Sequence, residues 1–139
     1  MSIGRLVSIV AAVVVAATLV AAIAVMDTPA QQREQRMDAR RVQDLQRIVQ
    51  AVDAYHAGNK ALPSGMAALQ AQPGWDLAAT DPGDGNPYAY EVLGERSYRV
   101  CASFGTDTAT GERADVVQDE WKHGAGRQCF NREVRAPAR

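Results

Sequence analysis

Hydrophobic and polar positions divide this chain into three regimes. Residues 6–26 carry no charge, and Ser8 and Thr18 are the polar residues among them. At the rise of an α-helix such a run extends roughly 31 Å, about the thickness of a bilayer's hydrocarbon core. From Val42 the apolar positions recur every three to four residues, through Leu45, Val49, Val52 and His56, with Ile48 and Tyr55 widening the stripe. Arg40, Gln43, Asp44, Arg47, Gln50 and Asp53 fall on the other side, the pattern of an amphipathic helix. After Pro87 the period drops to two. Tyr88, Tyr90 and Val92 alternate with Ala89 and Glu91, and Tyr98, Val100 and Ala102 with Arg99, Cys101 and Ser103.

Punctuation residues bound these regimes. Thr28, Pro29 and Gln31 suit a helix cap, its first position and a capping partner. Gly58 and Asn59 suit a left-handed end to that helix. Residues 31–41 are polar all round and read as a solvated stalk. Ser64 is placed to cap a short helix over 65–70, with Met66 and Leu69 turned inward; Trp75 and Leu77 are apolar enough to pack down beside it. The segment 81–87 is dense in turn formers, 93–96 reads as a hairpin turn, and 128–134 as a third strand. The predicted fold class is α+β. A long N-terminal transmembrane-plus-amphipathic helix packs on a small three- to four-stranded antiparallel sheet. Its divisions are an anchor over 1–26, a helical stalk over 27–41, an α+β head over 42–134 and a disordered tail over 135–139.

Charge and composition narrow the function classes. A net charge of -1 argues against nucleic acid as a partner. The basic clusters at Arg40–Arg41 and over 132–139 read as solvated surface charge. A cleaved signal peptide competes with the anchor reading, given Arg5 and the small residues near Ala22–Ala24 and Thr28–Ala30. The length of the run favours a retained anchor. The flanking arginines Arg33, Arg36, Arg40 and Arg41 favour a cytoplasmic head by a strict count. The cysteine pair and the short N-terminal segment favour a translocated one, and the head is expected outside the cytoplasm. Gly4, Ser8, Ala12 and Ala16 form a small-residue stripe that would let membrane helices approach one another.

Candidate chemistry is sparse. Cys101 and Cys129 form no Cys-x-x-Cys pair. They read as one disulfide if the head lies in an oxidising compartment, or otherwise as two buried thiols. No nucleophile elbow, zinc-protease helix or phosphate loop occurs, and the expectation is a protein that is not an enzyme. His56 falls on the apolar stripe as a core histidine. Trp121, His123 and Arg127 surround a glycine-rich loop and form a candidate ligand site. Asp81, Asp84 and Asn86 read as a structural turn rather than a cation loop.

The order of parts resembles the type IV pilin and type II secretion pseudopilin fold. The segment Asp81-Pro82, then Gly85-Asn86-Pro87-Tyr88-Ala89-Tyr90, is similar to the one that leads into the sheet of major pseudopilins. Ser103-Phe104-Gly105-Thr106-Asp107 and Ala114-Asp115-Val116 resemble the two ends of their calcium loop. The resemblance implies a calcium site at Ser103, Asp107 and Asp115. Gly4 is followed by Arg5-Leu6-Val7, and no glutamate lies in the apolar run, so the expected role is a tether rather than a filament-assembly helix. Arg41-Val42-Gln43-Asp44-Leu45-Gln46 and Trp121-Lys122-His123-Gly124-Ala125-Gly126-Arg127-Gln128-Cys129-Phe130 resemble a family of small membrane-anchored bacterial proteins of unassigned function. Together these imply a single-pass protein of the bacterial inner membrane with a periplasmic or extracytoplasmic head. Its expected partners are the bilayer and other envelope proteins or further copies of itself. The expected role is in assembly, scaffolding or interaction; a ligand-binding or sensing head using the 121–127 loop is the alternative.

Overall fold

The computed structural model describes residues 2–110 and 117–135. Two compact units divide the chain, residues 1–32 and 33–139. In the first, helix α1 spans Ile3–Val25, and none of its residues is buried. By length and composition it can cross a membrane. Helicity breaks at Met26, whose backbone is extended. Thr28 then starts helix α2, Pro29–Asn59, through the reciprocal box expected of it. The Gln31 amide donates to Thr28 Oγ1 at 3.3 Å, and the Thr28 amide donates to Gln31 Oε1 at 2.9 Å.

The second unit is the α+β head. Helix α2 packs on a three-stranded antiparallel sheet of order β1-β2-β3, formed by Ala89–Val92, Ser97–Phe104 and Gly126–Glu133. Pairing sets Tyr90 opposite Val100 and Val100 opposite Phe130, so one sheet face gathers Tyr98, Val100, Ala102 and Phe104. Those four side chains and Leu45, Ile48, Ala51 and Val52 of α2 form the core, with Leu69 of the short helix α3, Met66–Gln70, and Leu77. Trp75 and Met66 pack at its margin.

The details differ from expectation at both helix ends. Helix α2 passes through Gly58 and Asn59, and the left-handed residue is Lys60, with φ 58°; its amide donates to the His56 carbonyl at 2.8 Å. Gly65, not Ser64, precedes α3, and no side chain caps it. Val42, Val49 and His56 lie at the edge of the buried stripe, whose centre is Leu45, Ile48 and Val52. The solvated stalk expected through Arg41 stops short of Asp38, because Asp38 and Arg41 are both buried in the head. At the far end Val134 is buried, and the Arg135 amide donates to Asp53 at 3.2 Å, so the expected tail does not begin free at 135. Residues 136–139 lie outside the described residues.

Candidate functional site

The charged centre of the head lies where the sequence predicted a stalk. Asp38, Arg41, Leu45, Ile48 and Val52 follow one another at three- and four-residue steps, so the buried face of α2 extends two positions into the polar segment. Arg41 Nη1 donates to Asp38 Oδ1 at 2.6 Å. Its Nε donates to Asp81 Oδ2, and its Nη2 to Asp81 Oδ1 at 3.2 Å, a fork of donors on one carboxylate. Asp38 also accepts the Gly105 amide at 3.0 Å and the Thr106 amide at 2.7 Å. Asp81 accepts the Gly83 amide at 2.6 Å. One cation between two carboxylates therefore ties α2 to the turn before β1 and to the loop after β2.

Electrostatics follow from that packing. Burial alone would raise the Asp81 carboxyl, but the Arg41 guanidinium and the Gly83 and Asp84 amides together hold it below the ordinary carboxylate range. The hydrogen bond from Arg41 to Asp81 raises the guanidinium against burial, with Asp38 assisting. A Cβ at Gly83 would stand 3.0 Å from both Arg41 Nη2 and the Met37 side chain, so the turn passes the guanidinium at a point where a side chain must displace something. Asp81, Asp84 and Asn86 form the structural turn expected. The Asp81 carbonyl accepts the Gly85 amide, and Asp84 Oδ1 accepts the Asn86 amide.

The three loop residues proposed to share a ligand are not brought together. Trp121 is buried in the short 3-10 turn Asp119–Trp121, tilted on Phe130, with the Arg132 guanidinium 4.2 Å from its ring centroid. His123 is buried, stacked on Phe104 at 3.7 Å between centroids. Arg127 lies on β3 opposite Ser103, on the sheet face turned away from α2. The physical reason is strand alternation: Phe130 and Arg132 project to the helix side, and Arg127 and Cys129 to the other. Each residue consequently borders a separate recess. His123 borders one of about 650 Å³ with Asp38, Val42 and Asp107. Trp121 borders one of about 580 Å³ with Asp53 and Arg132, and Arg127 one of about 250 Å³ with Ser103 and Asp84.

Comparison with known protein families, characterised proteins and solved structures finds no match for this chain.

Of the implied calcium ligands, Ser103 sits within β2, while Asp107 folds back on its own loop. Asp107 accepts the Ala109 amide at 2.8 Å and the Thr110 amide at 2.9 Å. The Thr110 amide and hydroxyl, chiefly, hold its carboxyl below the usual range. Asp115 lies outside the described residues. Among the described residues no three His, Cys, Asp or Glu side chains form a metal-binding group.

Cys101 and Cys129 form a disulfide between directly paired positions of β2 and β3. Its presence points to an oxidising compartment. Asp38 and Arg41 look solvent-facing in the sequence because they are charged. Their phase, continuous with Leu45, is the signal that places them on the buried face.

Proposed function

We propose that this protein is a non-enzymatic, single-pass protein of the bacterial envelope, acting as an assembly, scaffold or interaction component. Its head stands in the periplasm or another extracytoplasmic space, in a pseudopilin-like arrangement. The observation that carries the reading is α1. It spans 23 residues, none of them buried, in a chain whose soluble unit holds a disulfide. An apolar surface of that size needs a bilayer or another protein to cover it. The order of elements, an N-terminal apolar helix followed by a small antiparallel sheet, is compatible with the pilin-like plan.

The charged centre of the head is structural. Arg41, Asp38 and Asp81 satisfy one another and nearby amides, which is the use of charge that fixes a structure. Crosslinking in intact membranes, followed by detergent solubilisation and mass spectrometry, tests the proposal. A partner or a second copy captured at fixed stoichiometry is the expected result. A strictly solitary protein overturns it.

A further inference from the structure

The outer face of the sheet carries the disulfide, and there the two cysteines differ. Cys101 is 2% exposed on the central strand β2, whereas Cys129 is exposed on β3, the last strand in the sheet order. Ala89 of β1 lies opposite Cys101 on its other side. Thiol–disulfide exchange places the attacking sulfur in line with the bond that breaks. Attack on Cys101 would come across β1, and attack on Cys129 would come from beyond the terminal strand of the sheet.

Cys101 also borders the recess of about 250 Å³ that holds Arg127 and Ser103. Arg127 pairs with Ser103, one step along the same face from the pair Cys101–Cys129. The other charges toward this face are Arg99, Glu91, Asp81 and Asp84, with Glu133 opposite Ser97 at the far end of β2 from Ser103. Arg99 is bound by Glu91 at 2.8 Å, and Asp81 is held by Arg41. Asp84 accepts from the Asn86 amide and side chain. A cation beside a departing sulfur lowers its thiol pKa and makes it the better leaving group.

We propose that Cys101–Cys129 is a site of thiol–disulfide exchange with a dithiol reductant, with attack at Cys129 and Cys101 as the leaving sulfur. The attacking thiolate forms a bond to Cys129 Sγ, the Cys101–Cys129 bond breaks, and its electron pair leaves on Cys101 Sγ. The reductant's second thiol then displaces Cys129 and closes the reductant's own disulfide. Two electrons pass to the protein, and the two thiol protons of the reductant end on Cys101 and Cys129. The hydrophobic core lies on the opposite sheet face, and Tyr98–Arg132 and Ser103–Arg127 pair on either side of the bridge, so the strands stay paired when it opens. The site is independent of whether the head acts as a scaffold.

The test uses the purified full-length oxidised chain in detergent micelles, with dithiothreitol as the reductant. The expected result is conversion to the dithiol faster than the β2 amides exchange with solvent, with circular dichroism of the head unchanged. With the monothiol glutathione, peptide mapping of the quenched mixed disulfide should find the adduct on Cys129 and a free thiol at Cys101. Arg127→Ala should slow exchange about threefold, with Arg127→Lys restoring most of the rate. Reduction no faster than global opening of the head, or an adduct on Cys101, overturns the proposal. An Arg127→Ala rate equal to wild type removes the assigned role of the cation and overturns the leaving-group assignment.

Discussion

Arg41 shows how much one buried charge can organise. Its guanidinium is satisfied only because two carboxylates approach from different segments, Asp38 from its own helix and Asp81 from the turn before β1. Removing it leaves both carboxylates buried without their cation. Breaking a buried pair in this way costs about 3–5 kcal/mol. Arg41→Ala should therefore lower the head's unfolding free energy by that amount, read from urea titrations of the full chain in micelles. Acid should act through the same residues. Asp81 is held below its unfolded value, so its contribution is complete above about pH 4 and drains away as pH falls below that. A stability profile flat from pH 7 to pH 2 would refute this. Alkali works in the opposite sense on the tyrosines. Burial pushes Tyr90 up to about 12 and raises Tyr88 and Tyr98 further, so their contribution is intact below about pH 10 and is lost as pH rises above it.

Between elements, the disulfide and the core act on opposite faces of one sheet. The bridge closes a separation of 28 residues, which in the chain-entropy model stabilises the fold by roughly 3–4 kcal/mol. The double change Cys101→Ser and Cys129→Ser should lose about that amount while the head remains folded, since the core side chains Tyr98 and Val100 project the other way. The measurement is the urea midpoint of the variant against wild type. At this scale the sequence was most readable where periodicity was strong. The amphipathic phase of α2, the Thr28 box and the alternation around Tyr98 and Val100 each rest on local spacing, and each is in place. What escaped needed tertiary knowledge. Lys60 takes the left-handed turn because α2 continues past the glycine that would have ended it. Asp38 and Arg41 read as solvent-facing because the groups that join them in the head are 40 or more residues distant, Asp81 for Arg41 and Gly105 for Asp38. The loop residues Trp121, His123 and Arg127 are close in sequence, but strand alternation and the 3-10 turn send them to separate recesses.

For the chain as a whole, two observations favour opposite topologies. Arg33, Arg36, Arg40 and Arg41 follow the apolar run, and by count such residues hold the segment after a membrane helix in the cytoplasm. The disulfide points to an oxidising side. The chemistry of the bridge is the stronger constraint. A cytoplasmic head would be kept as two thiols by the reducing pool, whereas a charge bias of four arginines interleaved with Glu34 and Asp38 is a weak determinant. The proposal of an extracytoplasmic head predicts Arg5 on the cytoplasmic side of α1. In osmotically opened cells, added protease should remove the head while leaving a cytoplasmic marker intact. Alkaline carbonate should leave the uncut chain in the membrane pellet, because α1 rather than surface charge holds it there. A head protected from protease until the membrane is dissolved would reverse the assignment and place the cysteines where a disulfide does not persist.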